Sequence, residues 1–223
     1  MSRRLAVLFD LDGTLTDSSL GIFACFRYAF ARLAETGGPV VALPGDADLK
    51  WIIGPPLRES FASFAGEHAK EPLMAFYLER YSPVGAFENR VYDGVVEALD
   101  RLATREARLF VATSKNERDA CAILEHFDLA GRFESINGAR ANGSRAGKRE
   151  LIGDVIATHE LRLGHDAISM IGDREFDMVG AKAVGVTAIG ALWGYGDREE
   201  LVAAGADAVA AMPPEAAEIA LRR

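Results

Sequence analysis

Two acidic clusters hold the residues best suited to chemistry. The first is Phe9-Asp10-Leu11-Asp12-Gly13-Thr14-Leu15-Thr16-Asp17, directly after five apolar residues. Two carboxylates two residues apart at a strand end face one site when the chain turns there, and Gly13 permits the turn. Close carboxylates repel unless a cation lies between them or one keeps a proton. The pair points to a hard-metal site, or to a nucleophile with an acid/base partner. The structural alternative is a polar turn whose Asp caps a helix. The second cluster is Ile171-Gly172-Asp173-Arg174-Glu175-Phe176-Asp177. Asp173 closes an apolar run and Asp177 lies one helical turn on, so both carboxylates can face one point. Alone, Asp173 reads as a helix N-cap; as a second carboxylate at a strand end of the same sheet, it reads as a metal ligand.

Hydroxyl and cationic groups complete the set. Thr113-Ser114-Lys115-Asn116 follows another apolar run and opens a helix, where hydroxyls and free amides bind phosphate. Thr113 is the expected side-chain phosphate ligand. Ser114 joins as a substrate-binding candidate through its backbone amide, although Ser114 and Glu117 also spell a capping box. Lys148, just before a helix expected from residue 150, offers a point charge for phosphate oxygens, with Arg145 and Lys115 as rivals.

The elements that must position these residues follow from the apolar pattern. Short runs at 5–9, 109–112, 135–136, 167–171 and 186–189, with a weaker one near 207–210, are mostly unbroken, as in strands buried on both faces. Helical patterns at 95–101, 120–127, 150–160 and 178–184 separate them. This alternation predicts an α/β fold, a doubly wound parallel sheet with its chemistry at the carboxyl ends of the strands. About a hundred residues between the first two runs hold no convincing strand, too many for a structureless loop. Helical patterns at 18–34, 57–65 and 72–81 predict an inserted all-helical domain. The expected division is a catalytic core of 1–17 and 87–223 and a helical cap of 18–86, with hinges near Asp17 and 82–87.

Bulk properties narrow the function. The 223 residues are 49% hydrophobic and 26% charged, ordinary for a globular enzyme. A formal charge of -8 disfavours nucleic-acid binding. The apolar run at 5–9 is too short for a signal-peptide core or a membrane span. Cys25 and Cys121 are the only cysteines, which fits a reducing compartment and two core-packing thiols. The expectation is a cytoplasmic protein, monomer or homodimer, with a small phosphorylated metabolite as partner and neither nucleic acid nor membrane. His68, His126, His159 and His165 are scattered and receive no metal or catalytic role. Trp193 and Tyr195 sit in a Gly-rich segment that reads as a site entrance or a simple turn.

In this order, the four stations resemble the haloacid dehalogenase-like hydrolase superfamily, across essentially the whole chain. The passages Gly54-Pro55-Pro56-Leu57-Arg58-Glu59, Phe87-Glu88-Asn89-Arg90-Val91-Tyr92, Ala112-Thr113-Ser114-Lys115 and Leu192-Trp193-Gly194-Tyr195-Gly196 look most like its phosphoglycolate phosphatase and 5′-nucleotidase-like groups. The resemblance implies a Rossmann-like core, a helical cap and a Mg2+-dependent phosphatase acting through an aspartyl phosphate. It implies Asp10 as nucleophile, Asp12 as acid/base, and Thr113 and Lys148 as phosphoryl-holding residues. Magnesium would be held by Asp10, the Asp12 backbone carbonyl and Asp173, with Asp177 in support. Arg58 is a cap candidate for substrate contact, alongside Phe23 and Arg27. Asp12 argues against a dehalogenase, and the helical insertion and length against a receiver domain. A phosphomutase of the same superfamily and a non-catalytic binding member are the alternatives.

Overall fold

The computed structural model describes residues 3–139 and 147–222. The chain divides into two compact units, Met1–Asp17 with Val91–Arg223, and Ser18–Arg90. Strand β1 (Leu5–Phe9) opens the first unit, and the two-residue β2 (Thr16–Asp17) ends its first segment. Helices α1 (Ser19–Glu35), α2 (Asp46–Leu49), α3 (Leu57–Ala65) and α4 (Lys70–Arg80) make up most of the second unit. After β3 (Arg90–Val91) the first unit resumes with α5 (Val95–Ala103), β4 (Arg108–Asn116), α6 (Glu117–His126) and β5 (Ser135–Ala139). It continues through α7 (Lys148–Thr158), β6 (Ala167–Gly172), α8 (Glu175–Val184), β7 (Thr187–Ala191), α9 (Arg198–Ala203), β8 (Ala208–Ala210) and α10 (Pro213–Leu221). Among the described residues, no helix is long and apolar enough to cross a membrane.

Six strands form one sheet in the order β5-β4-β1-β6-β7-β8, and the paired neighbours run parallel. The expected α/β architecture is therefore present. One set of alternating residues, including Ala6, Leu8, Phe110 and Met170, packs with Ile152, Val155, Met178 and Ala181 of α7 and α8. The opposite set, including Val7, Phe9, Val111 and Ile171, is also buried. Both faces are covered, which explains why these strands read as unbroken apolar runs. The central β1 pairs Phe9 with Val111 of β4 and with Ile171 of β6, so the next residues of all three strands emerge at one level.

In the second unit, Ile22, Phe23, Phe26, Phe30 and Leu33 of α1 recur at helical spacing and are all buried. Phe26 stacks on Phe61 at 4.8 Å and Tyr77 on Tyr81 at 5.0 Å. The chain leaves this unit at Arg90, later than expected. A π-helical turn at Tyr81–Gly85 prolongs α4, and Arg80 then grips Glu88 through contacts of 2.7 and 2.8 Å. Cys25 is fully buried, whereas Cys121 is only partly buried, because it lies outside the apolar face of α6 formed by Ala120, Ile123 and Leu124.

At the amino edge of the sheet, Asp166 ties the starts of β1 and β6 together. Its carboxylate accepts hydrogen bonds from Arg4 N, Nε and Nη2 at 3.2, 3.1 and 2.8 Å and from Arg162 N at 2.8 Å, with His165 Nδ1 at 3.0 Å. Burial acts to raise its pKa, but the bonds from Arg4, Arg162 and His165 prevail and hold it well below the ordinary value of 3.8. A carboxyl depressed in the folded state stabilises above its unfolded pKa and loses that contribution as pH falls toward the folded pKa. Asp166→Asn should therefore melt several degrees below the natural protein at pH 7. The gap should persist down to about pH 5 and shrink below it, as read by thermal melts across pH.

Candidate functional site

Four segments meet at the carboxyl edge of the sheet. Asp10 follows β1, Thr113 lies in β4 just past Ala112, Asp173 follows β6, and Lys148 opens α7. β1 is the strand from which the chain winds outward in both directions, the place where doubly wound sheets bind ligands. The loop after β1 closes tightly: Leu11 O accepts from the amides of Thr14, Leu15 and Thr16 at 3.2, 2.9 and 3.0 Å. Gly13 sits at its apex with φ of +83°, and a Cβ there would lie 2.1 Å from Asp173 Oδ2. Glycine is thus required twice, for the left-handed backbone and for the approach of the second acidic cluster.

Carboxylate oxygens of Asp10, Asp173 and Asp177 lie within 4.8 Å of one another. Lys148 Nζ contacts Asp10 Oδ1 at 2.8 Å and Asp177 Oδ1 at 2.6 Å, and donates to Ala112 O at 2.9 Å. It reaches this position because α8 presents Gly180 to it; a Cβ there would stand 2.6 Å from Lys148 Cβ. Asp173 accepts from Thr14 Oγ1 at 3.2 Å and from Tyr195 N at 2.8 Å. Asp177 is the third residue of α8 and accepts from Arg174 N at 3.2 Å. Asp12 is held separately, its Oδ2 2.9 Å from Lys115 Nζ.

Burial dominates the electrostatics. It pushes Asp10 up to about 6 against the pull of Lys148, with Asp177 and Asp12 adding to the rise. Burial, and then Asp177 and Asp10, raise Asp173 well above the ordinary carboxylate value. Burial lowers Lys148, but Asp10 and Asp177 more than offset this and hold its ammonium above the ordinary lysine value. Three carboxylates thus crowd around one ammonium that touches Asp10 and Asp177, an excess of negative charge that a divalent cation with a preference for oxygen ligands would relieve. The donor set fits a hard cation such as magnesium.

Seven of the eight expected site residues lie in this region of the first unit, with Thr113 buried and Ser114 exposed at the end of β4. Arg58 belongs to the second unit, where Nε contacts Glu71 Oε1 at 2.8 Å; Arg27 there contacts Asp46 at 2.6 Å. The Ser114–Glu117 capping box does not form. β4 runs on to Asn116, and it is Asn116 that caps α6, accepting from Arg118 N at 3.0 Å. The cap of α8 is Arg174 rather than Asp173, which leaves Asp173 to the acidic cluster. Helix α7 starts at Lys148, two residues earlier than expected. Arg145, one rival for the phosphate cation, lies outside the described residues.

The sequence reading missed the role of the segment after β7. Trp193 Nε1 donates to Thr14 O at 2.9 Å, and Tyr195 OH to Asp17 Oδ1 at 3.0 Å. With the Tyr195 amide on Asp173, this segment braces both acidic clusters rather than serving as a simple turn. Two indole and phenol donors among three glycines were the available signal.

A sheet of this topology with acidic residues after its first and fourth core strands has known relatives. The family described as haloacid dehalogenase-like hydrolase matches residues 7–191, and the chain belongs to it, as its motifs led us to expect. A 5′-nucleotidase of Pseudomonas aeruginosa is 40% identical, covering 87% of this chain and 86% of its own. Tyrosine-protein kinase PtkA of Mycobacterium tuberculosis is 41% identical over 85% of this chain, but only 62% of its own length is matched. A phosphoglycolate phosphatase of Xanthomonas campestris pv. campestris is 31% identical, covering 94% of this chain and 93% of its own. The crystal structure of a predicted phosphatase from Clostridium acetobutylicum is 34% identical and superposes with a TM-score of 0.89 over the full length of both chains.

Gly13→Ala forces a side chain onto Asp173 and into a left-handed backbone. It should destabilise the protein by about 2 kcal/mol or more in denaturant titration.

Proposed function

We propose that this chain is a magnesium-dependent phosphatase of small phosphomonoesters, cytoplasmic, that works through an aspartyl phosphate on Asp10. The observation that carries this reading is the meeting of Asp10, Asp173, Asp177 and Lys148 at one edge of the sheet. Asp10, the Asp12 backbone carbonyl and Asp173 would hold the magnesium, with Asp177 in support. Bound there, the ion supplies positive charge that lets an anionic nucleophile meet an anionic phosphate.

Lys148 and the Thr113 hydroxyl hold phosphoryl oxygens and set phosphorus in line with Asp10. A carboxylate oxygen of Asp10 bonds to phosphorus as the bond to the leaving oxygen breaks. Asp12 gives its proton to that oxygen. In the second half of the cycle a water oxygen attacks phosphorus, the Asp10–phosphorus bond breaks, and the proton of the water returns to Asp12. The sum is ester plus water to alcohol plus phosphate. Ser114 adds its backbone amide to the phosphate, and the second unit, with Arg58, serves as the cap that selects the ester. Phosphoglycolate-like esters and nucleoside monophosphates are the proposed substrates, on the strength of the relatives that bear those names.

A phosphomonoester panel containing phosphoglycolate, nucleoside monophosphates and sugar phosphates tests this. Phosphate release should require magnesium, stop with chelator, and fall at least ~10³-fold in Asp10→Asn, which lacks the nucleophile. Release that is indifferent to Asp10 overturns the reading, as does its absence with every ester. The likeness to PtkA supports a second reading, transfer to tyrosine. ATP with a tyrosine-containing acceptor peptide separates the two, and the phosphatase reading expects no phosphotyrosine.

A further inference from the structure

Asp12 is not held by the cation that holds its neighbours. Lys148 spans Asp10 and Asp177, whereas Asp12 Oδ2 is paired with Lys115 Nζ at 2.9 Å. Both partners are shielded, with 8% of the Lys115 side chain exposed and 17% of that of Asp12. The lysine backbone is itself fixed: it lies in the extension of β4 where the register with β5 shifts, and its amide donates to Thr113 Oγ1 at 3.2 Å. The other carboxylate oxygen, Asp12 Oδ1, is buried and has no hydrogen-bond partner among the described residues. A carboxylate gripped at one oxygen presents the other in a defined direction.

We propose that Lys115 is a positioning residue: by holding Oδ2 of Asp12, it aims Oδ1 at the oxygen that leaves phosphorus. This rests on the phosphatase reading above and adds a residue that need not touch substrate. In the first half-reaction the proton on Asp12 passes to the leaving oxygen as the phosphorus–oxygen bond breaks. Such transfer needs hydrogen-bond reach, and a displacement of about 1 Å can cost ~10²-fold. An ester whose leaving oxygen departs readily without a proton should be insensitive to the aim of Asp12.

The test compares kcat/KM, with magnesium, for an alkyl phosphate and for p-nitrophenyl phosphate. This constant covers only the steps through breakage of the ester bond, so the second half-reaction does not intrude. Lys115→Met should lose about 30-fold on the alkyl ester and less than about threefold on the nitrophenyl ester. Lys115→Arg, which keeps the charge, should recover part of the alkyl-ester loss. If Lys115→Met does not fold, a smaller contrast of the same sign in Lys115→Arg decides the matter. Asp12→Ala is the reference and should show the same contrast. Equal losses on both esters in the Lys115 variants, or none on either, overturn the inference and leave the phosphatase reading standing. A uniform loss in Asp12→Ala removes the acid role of Asp12, and this inference falls with it.

Discussion

Negative charge is crowded where the solvent is least able to screen it. Oxygens of Asp10, Asp173 and Asp177 converge within 4.8 Å, and two of these residues are fully shielded from water. At an effective dielectric of about 20, each pair at that separation repels by on the order of 3 kcal/mol. The contacts of Lys148, being shorter, attract more strongly per pair. One ammonium can therefore offset much of the mutual repulsion, but it does not repay the removal of the charges from water. Raised carboxyl pKa values at Asp10 and Asp173 are the visible sign of that deficit.

The remainder of the first unit holds these groups close despite their repulsion. Parallel pairing in register fixes the heights at which β1, β4 and β6 end. Three backbone amides converging on Leu11 O lock the loop between Asp10 and Thr16. From the other side, Trp193 and Tyr195 tie that loop to Asp173 and Asp17. All of these restraints except the Tyr195–Asp17 bond use a backbone donor or acceptor. The site consequently depends less on long flexible side chains than its charge content suggests, which is how pre-organised electrostatic sites keep their geometry.

Much of this was legible in the sequence, for physical reasons. Strands buried on both faces have no polar alternation, so their apolar runs marked β1, β4, β6 and β7 directly. The acidic clusters announced themselves because carboxylates are rarely placed together at a strand end without a purpose. Pairings between residues far apart in sequence were not legible. Nothing local says that Lys115 turns to Asp12 while Lys148 turns to Asp10, since both are lysines near a helix start. The brace from Trp193 and Tyr195 was hidden likewise, because its partners lie some 180 residues away. Edges of elements were displaced where one residue took over a cap, as Asn116 did from Ser114. Short β2, β3 and α2 carry too few residues for any periodicity to register.

The strand order has a consequence for how the chain is made. β1 leaves the ribosome before the other strands of its sheet, yet its two neighbours are β4 and β6, about 100 and 160 residues later. The whole of Ser18–Arg90 is synthesised before either neighbour exists. Contacts of such high sequence separation form slowly, because loop closure precedes any reward from pairing. During translation the nascent chain therefore carries an apolar strand with both edges unpaired, followed directly by Asp10 and Asp12. Those two charges are in that interval a solubilising guard against premature edge-to-edge association.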